Sequence, residues 1–362
     1  MIEKIVVRGF KRFADHTFDF EPLTILSGLN GSGKTSLIHS VLLAHEASHA
    51  SPGDPIPLNG PYGLELGCVE DILNWDCEAV GFDLQLSKGA NHLDLKWSSE
   101  DAMYLIVDTG SECCMREEKP KIGEFIYLSA ERHGPRLSQE ACPLPPESIE
   151  IGFKGENCAQ ILEQKGNRPL DESRRHPTTE LESAPFLKYE IEKWLSEIAR
   201  PVEIDSERYP GSNLYCLKYR TPGDAWVKAT NMGFGVSYSL PVILAGLIAS
   251  EGGVIVVENP EAHLHPLGQS KMGSFLAWVA SRGVQVILET HSDHIINGIR
   301  RAIAEHKYLP ADKAVVHFFD SNDAVAKPLR FTELGGVTEW PEGFFDQYQI
   351  DTAALGRIRR RG

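Results

Sequence analysis

Glycines, a lysine and a threonine near the N-terminus have the types and the spacing that bind phosphate. Residues 28–35 read Gly-Leu-Asn-Gly-Ser-Gly-Lys-Thr and fit the pattern GxxxxGK[ST] between an apolar strand and a helix. The glycines of such a loop let backbone N–H groups surround phosphate oxygens, and the helix N-terminus adds a favourable dipole. Lys34 would reach the β- and γ-phosphates, and the Thr35 hydroxyl would coordinate Mg²⁺. We therefore predict that Mg·ATP binds to the following residues: Gly28, Asn30, Gly31, Ser32, Gly33, Lys34, Thr35 and Ser36.

A second group of chemically active residues follows an apolar run in the last third of the chain. After residues 253–257 the sequence continues Glu-Asn-Pro-Glu-Ala-His-Leu-His-Pro over residues 258–266. A strand that delivers a carboxylate to Mg²⁺ is the Walker B arrangement, so Glu258 is predicted to be a metal ligand with Thr35 and a catalytic residue. His263 and His265 have no third ligand at suitable spacing for zinc. We expect these histidines to pack or to form hydrogen bonds in the turn.

A histidine ends another apolar strand further along the chain. Residues 288–292 read Leu-Glu-Thr-His-Ser. At a strand end after the Walker B segment, His291 is placed to touch a γ-phosphate or the water that attacks it. The alternative interpretation is a buried histidine with its hydrogen bonds satisfied.

Two glycines and a serine open a long apolar helix. Gly233, Gly235 and Ser237 lie in the sequence Asn-Met-Gly-Phe-Gly-Val-Ser over residues 231–237. A helix that begins in this way offers backbone N–H groups to an anion. A chain with one P-loop needs no second phosphate site of its own. A nucleotide site formed jointly by two copies of the chain would therefore explain the pattern. The motif therefore predicts a homodimer that encloses ATP between a P-loop and the partner's signature turn, with a simple helix cap as the alternative.

Together these motifs resemble the ABC-type ATPase heads of SMC, RecF and OLD-family proteins. Residues 58–62, 127–136, 258–266 and 340–347 are further similar to a bacterial branch of AAA-type, OLD-like ATPases. That branch includes stand-alone heads in anti-phage systems such as Septu, retrons and PARIS. The resemblance implies an α/β P-loop NTPase of the ABC-head type, with a mixed-sheet lobe and a parallel-sheet lobe flanked by helices. It also implies ATPase activity that regulates an effector encoded nearby, either a nuclease or a toxin.

The sequence departs from the usual ABC pattern at the catalytic position. When Pro260 is aligned with the proline of the usual Asp-Glu-Pro, Glu258 falls on the Mg²⁺-side aspartate and Asn259 on the catalytic glutamate. An amide cannot accept a proton from water, so we expect slow hydrolysis with Glu261 or His291 as the replacement base. Tyr238 stands where related signatures often have glutamine.

Alternating apolar runs predict the order of the elements and one head over residues 1–362. We predict an N-terminal lobe with the P-loop over 1–136, an insertion or lid-like helical segment over 137–200, and a second lobe with the other motifs over 201–362. Residues 137–184 are rich in proline, glycine and charge, which is typical of an insertion or a mobile segment. Strands and helices alternate in the last third, which indicates parallel strands under crossover helices. The predicted strands are 2–7, 23–27, 78–86, 92–97, 124–128, 254–257, 284–288 and 314–319, and the predicted helices are 34–46, 186–198, 236–250 and 266–281.

Charge and composition narrow the classes of function. With 36 Lys and Arg against 51 Asp and Glu, the formal net charge is −15. This charge disfavours a protein whose main surface binds DNA. Because a local basic patch could still bind it, nucleic acid stays open as a partner. The longest apolar segment, 240–249, is too short to cross a bilayer, so no membrane partner is expected. The seven cysteines contain no CxxC pair, which favours reduced thiols in a cytoplasmic protein. Two alternatives remain, namely a DNA-repair ATPase that clamps DNA and a nucleotide-gated scaffold without turnover.

Overall fold

The computed structural model describes residues 1–77, 80–86, 89–96, 98–108, 125–320, 326–341, 344–345 and 347–359. The strands in chain order are β1 Ile2–Phe10, β2 Phe13–Asp19, β3 Leu23–Gly28, β4 Pro55–Pro57, β5 Val80–Leu86, β6 Gly89–Lys96, β7 Tyr104–Val107, β8 Phe125–Leu128, β9 Gln139–Glu140, β10 Glu203–Arg208, β11 Leu214–Arg220, β12 Val227–Lys228, β13 Val254–Glu258, β14 Gln285–Glu289, β15 Ala314–Phe319 and β16 Lys327–Arg330. The α-helices are α1 Lys34–His49, α2 Val69–Ile72, α3 Cys158–Lys165, α4 Leu187–Ile198, α5 Phe234–Ile248, α6 Pro266–Ser281, α7 Asp293–Ala304 and α8 Gln347–Arg359.

A six-stranded sheet positions most of the residues predicted to do chemistry. Its order is β16-β15-β3-β14-β13-β8, and β16 is the antiparallel strand among otherwise parallel neighbours. Every residue of β13, β14 and β15 is buried, as expected for parallel strands that helices cover on both faces. Because parallel strands share one direction, the carboxyl ends of β3, β13 and β14 meet at the same edge. The fold therefore brings Gly28, Glu258 and Glu289 to one side of the sheet.

A second six-stranded sheet is antiparallel and covers α1. Its order is β2-β1-β5-β6-β7-β4. The strands predicted over 78–86 and 92–97 are confirmed as β5 and β6, which pair antiparallel with Val80 opposite Leu95. Residues 78, 79, 97 and 124 of the predicted strands lie outside the described residues. A small third sheet, β10-β11-β12 with β9, lies beside the helices of the second half.

The proline- and glycine-rich segment 137–184 contributes to the core. Ile149 and Ile161 are completely buried, and α3 packs in the same hydrophobic cluster as α4 and α5. This segment, predicted to be an insertion or a mobile segment, thus supplies buried side chains to the core from short apolar runs between its turns. The predicted helix 186–198 is confirmed as α4, whose Leu187, Ile191 and Trp194 face this core.

In the part of the chain that the structure describes, no helix combines the length and the apolar composition that a bilayer crossing requires.

Candidate nucleotide-binding site

The P-loop connects β3 to α1 through a backbone that requires glycine. Gly28 has φ 138°, and a Cβ atom there would lie 2.0 Å from the Phe319 carbonyl oxygen. Gly31 and Gly33 also have positive φ angles, 72° and 109°. Asn30 lies exposed near the tip of the loop, and the Ser32 hydroxyl donates a hydrogen bond of 2.7 Å to the Leu29 carbonyl. The sequence pattern and the turn geometry therefore agree, because side chains at these glycines would be strained or would clash.

Lys34 lies beneath this loop. Its side chain is 3% exposed, and Nζ donates to the carbonyl oxygens of Gly28 at 3.1 Å and Leu29 at 2.7 Å. Burial lowers the pKa of Lys34, while the nearby Glu289 carboxylate opposes this effect. The ammonium group therefore lies next to the backbone that would surround phosphate oxygens. Ser36, in the first turn of α1, is half-buried.

Glu289 is a site residue that the sequence analysis did not assign. It ends β14, which lies between β3 and β13, and it is 6% exposed. The Thr35 hydroxyl donates to Glu289 Oε2 at 3.1 Å, and Lys34 Nζ lies 4.0 Å from Oε1. His291 Nε2 lies 3.7 Å from the same Oε1. The sequence did contain a signal for this role, because the Glu289 carboxylate stands two residues before His291, the predicted catalytic histidine.

Arg12 is a further contact residue that the sequence analysis missed. Its Nη1 atom donates to the Gly31 carbonyl at 3.4 Å, and its aliphatic part lies against Gly33. The turn between β1 and β2 carries this arginine, and Asn74 Nδ2 fixes the turn by donating to the Lys11 carbonyl at 2.7 Å. A cation therefore borders the P-loop on the side of the antiparallel sheet.

Glu258 ends β13 and is held by Tyr127 of β8 and by Ala130, which follows that strand. Its Oε1 accepts a hydrogen bond of 2.8 Å from the Tyr127 hydroxyl, and its Oε2 accepts one of 3.2 Å from the Ala130 N–H. Burial raises the pKa of Glu258, whereas the Tyr127 hydrogen bond lowers it. In this arrangement Glu289, rather than Glu258, contacts Thr35. Hydroxyl and carboxylate oxygens are the ligands that Mg²⁺ prefers, so Thr35, Glu258 and Glu289 form a donor set that fits this ion.

Asn259 occupies a left-handed backbone position directly after β13. Its φ angle is 43°, in a region that asparagine adopts more readily than most residues. Its N–H donates to the Glu289 carbonyl at 2.9 Å, which ties the Walker B turn to β14. The backbone conformation gives a physical reason for an amide residue here that is independent of catalysis.

Glu261 and His291 meet beside this turn. Glu261 Oε1 accepts a hydrogen bond of 2.8 Å from the His291 backbone N–H. The side chain of His291 is 40% exposed, so the alternative of a buried structural histidine is wrong. The structure thus brings both candidate bases to the same side of the sheet as Lys34 and Glu258.

The signature residues open α5, which begins at Phe234 rather than at the predicted residue 236. Gly233 precedes the helix with φ −61°, and a Cβ atom there would have no neighbour within 4 Å. Gly235 lies against the His263 carbonyl, while Ser237 is 8% exposed and faces the protein interior. The exposed backbone at this helix end therefore belongs to residues 233–235.

The two histidines after Walker B take part in packing and capping, as the sequence analysis expected. His263 lies with its ring centroid 4.4 Å from that of Tyr238 and 5.2 Å from that of Phe234. His265 Nδ1 accepts a hydrogen bond of 3.4 Å from the Leu267 N–H at the start of α6.

Comparison with known proteins supports an ATPase. Residues 158–296 match a family described as an AAA ATPase domain, residues 4–50 match an AAA domain, and residues 309–355 match a protein family of unknown function, DUF3696. The OLD nuclease of Thermus scotoductus is 21% identical over 327 residues, which cover 81% of this chain and 59% of that protein. The chain therefore spans less than two thirds of this relative.

Solved structures show the fold. An SMC head bound to the C-terminal winged-helix domain of ScpA has a TM-score of 0.53 at 12% identity, and the alignment covers 91% of this chain and 97% of the other. An Smc head with an extended coiled coil, bound to the C-terminal domain of ScpA derived from Pyrococcus furiosus, has a TM-score of 0.52 at 10% identity, with 99% of each chain covered. The fold is the SMC-head-like α/β fold of an ABC-type P-loop ATPase. Together the sequence matches to AAA ATPase domains and the fold indicate an ATPase.

Replacement of Glu289 by glutamine tests its place in the metal site. If Glu289 holds Mg²⁺ together with Thr35, Glu289→Gln should remove most of the gain in ATP affinity that Mg²⁺ gives, about tenfold or more for one lost charge-assisted contact. Calorimetric titration of ATP with and without Mg²⁺ measures this gain, and Glu182→Gln, an exposed carboxylate elsewhere, is the control. An undiminished Mg²⁺ effect in Glu289→Gln would remove it from the site.

Proposed function

We propose that this protein binds Mg·ATP, hydrolyses it slowly, and closes as a homodimer around two nucleotides to regulate a partner effector in bacterial anti-phage defence. The observation that carries the catalytic part is the convergence of the P-loop, two strand-end carboxylates and the Glu261–His291 pair at one edge of the parallel sheet. The proposal places the protein in the cytoplasm as one head over residues 1–362.

The proposed reaction follows from the placement of the side chains. Lys34 would leave the Gly28 and Leu29 carbonyls and donate to the β- and γ-phosphate oxygens. Thr35, Glu258 and Glu289 would hold Mg²⁺, which neutralises charge that develops on the phosphates. Water forms the new bond to the γ-phosphorus, the bond to the β–γ bridging oxygen breaks, and ADP leaves with that electron pair.

The proton of the attacking water requires a base other than Asn259. Glu261 is half-buried, and its Oε1 is fixed by the His291 N–H. That hydrogen bond leaves its carboxylate with further acceptor capacity beside the exposed His291 ring. We propose that Glu261 accepts the proton of the attacking water and that His291 orients the water or the γ-phosphate.

The regulatory part of the proposal is supported by the resemblance to stand-alone defence ATPases. The relative named OLD nuclease supports the same direction, because its name gives a nuclease activity to a protein that is similar to this chain over 327 residues. We propose that a nuclease or toxin encoded nearby is the partner that this chain regulates.

A second candidate function is a nucleotide-gated scaffold that binds ATP without turnover. Asn259 favours it, because its amide stands at the usual catalytic position and its backbone conformation suits asparagine. The two candidates differ in whether phosphate is released.

Substitution of the two candidate bases identifies the base of the proposed reaction. Glu261→Gln should lower kcat for phosphate release by about 10²–10⁴, the usual contribution of a general base, with little change in KM for ATP. His291→Ala should lower it less. Phosphate release under steady-state conditions measures both variants. If Glu261→Gln retains wild-type turnover while His291→Ala abolishes it, the histidine is the base.

A further inference from the structure

Residues 127–136, named here the bridge segment, contact both the Walker B turn and the beginning of α5. The segment leaves β8, and its Tyr127 hydroxyl and Ala130 N–H hold the two carboxylate oxygens of Glu258. Its own position is fixed on the opposite side, where the Ser129 N–H donates to the Phe153 carbonyl at 2.9 Å and the His133 N–H to the Lys154 carbonyl at 2.8 Å. The reaction proposed above gives this segment no role.

Arg132 lies at the centre of the bridge segment. It is 3% exposed, and its Nη1 donates to the Glu258 carbonyl at 2.6 Å and to the Ser129 carbonyl at 2.8 Å. Its Nη2 donates to the Asn259 carbonyl at 2.7 Å. One buried guanidinium thus holds the main chain of the Walker B turn at two successive residues. Since arginine presents its donors in a rigid planar fork, lysine cannot reproduce this pattern.

The same arginine also contacts the signature helix. Its guanidinium carbon lies 5.9 Å from the centroid of the Tyr238 ring, in the first turns of α5. Gly134 lies under the aromatic residues of this helix, where a Cβ atom would be 3.2 Å from Phe234 and 3.3 Å from Tyr238. His263, at the far end of the Walker B turn, packs on both rings. The Walker B turn and the beginning of α5 are therefore joined through the bridge segment and an aromatic cluster.

We infer that the bridge segment couples the first turn of α5 to the Walker B turn, with Arg132 and Tyr238 as positioning residues for hydrolysis. A displacement of α5 at its exposed N-terminus moves Tyr238, and Arg132 follows because the two are in contact. Arg132 carries the carbonyls of Glu258 and Asn259 with it, which changes the direction of the Glu258 carboxylate. Only the kinetic consequence of this inference rests on the proposed ATPase reaction.

Amide hydrogen exchange tests the coupling in the nucleotide-free protein. Tyr238→Leu removes the aromatic face, and Tyr238→Phe keeps it as the matched control. We expect Tyr238→Leu to speed exchange over residues 259–264 by about three- to tenfold, from the loss of one cation–π contact and its packing, and Tyr238→Phe to leave it within about twofold of wild type. Arg132→Lys should speed exchange in the first turn of α5 as well as in the Walker B turn.

An effect of Arg132→Lys that stays confined to residues 258–260 would overturn the inference, as would Tyr238→Leu with unchanged exchange over 259–264. If Arg132→Lys fails to fold, the Tyr238 pair still decides the question.

Kinetics supply the second readout. Tyr238→Leu should lower kcat by about three- to tenfold, with KM for ATP unchanged within about twofold. The control Tyr238→Phe should keep the wild-type kcat and KM. The double variant with Arg132→Lys should be no slower than the slower single variant, because both act on one unit. Additive losses in kcat would contradict the coupling. A wild-type protein that releases no phosphate would refute the proposed hydrolysis. Unchanged hydrogen exchange over residues 259–264 in Tyr238→Leu, in a protein that does hydrolyse ATP, would refute only the coupling through the bridge segment.

Discussion

Mg·ATP, but not ADP, is expected to raise the association constant of a homodimer of this chain by at least about two orders of magnitude. The first turn of α5 offers unsatisfied backbone N–H groups and the positive end of a helix dipole. A γ-phosphate bound to the P-loop of one copy would present anionic oxygens to this turn of the other. Two symmetric sets of contacts, at about 1.5–3 kcal/mol for each charge-assisted hydrogen bond, account for the expected size of the effect.

Gly233→Glu is the variant that should abolish this gain. Gly233 has an ordinary φ of −61° and open space around its missing Cβ, so a glutamate fits there without strain. Its negative charge would repel the partner's phosphate. Ser237, although part of the signature, is unsuitable because it is buried. Ser250→Glu, just beyond the opposite end of α5, is the matched control.

The mass in solution should be measured with a non-hydrolysable ATP analogue, with ADP and without nucleotide. A dimer confined to the ATP state, absent in Gly233→Glu and retained in Ser250→Glu, is the expected result. Equal dimer fractions in all three states would instead indicate a constitutive dimer and would refute closure driven by nucleotide.

Lys34→Ala should weaken ATP binding at least about tenfold. The ammonium is positioned under the P-loop, and each charge-assisted hydrogen bond to a phosphate contributes about 1.5–3 kcal/mol. Since about 1.4 kcal/mol corresponds to a factor of ten, the loss of one such contact already gives this change. Calorimetry with the wild type, Lys34→Ala and the exposed-lysine control Lys228→Ala measures the difference.

Lys34 also donates to the Gly28 and Leu29 carbonyls, so a melting curve must show that Lys34→Ala is folded. A folded Lys34→Ala protein with wild-type affinity for ATP would exclude residues 28–36 as the nucleotide site.

The P-loop was predictable because its chemistry is local. The glycines, Lys34 and Thr35 follow one another along the chain, and a strand before them and a helix after them suffice to define the geometry. Alternating apolar runs predicted parallel strands under crossover helices, and such strands bring their carboxyl ends together, which gives the edge position of Glu258. The ABC-head class came from the resemblance of the motifs.

Glu289 and Arg132 were not predictable because their partners are distant in sequence. Glu289 contacts Thr35 only because β14 lies between β3 and β13, an order that periodicity alone does not give. Arg132 donates to the main-chain carbonyl oxygens of residues 258 and 259. Every residue has such a carbonyl, so the amino-acid sequence does not indicate which ones an arginine will contact.

The orientation of residues at the start of α5 depends on where the helix begins. With the first helical residue at Phe234, Ser237 faces the core and the open backbone lies at Gly233. The segment 137–184 similarly required tertiary information, because its short apolar runs become core residues only when α3 packs near α4 and α5.

Phosphate release by the purified wild-type protein tests the central claim most directly. With Mg²⁺ and saturating ATP, the protein should release phosphate slowly but measurably, and Lys34→Ala prepared in parallel should release none above background. Equal phosphate release by the wild type and by Lys34→Ala would contradict the claim that this chain is an ATPase acting through its P-loop.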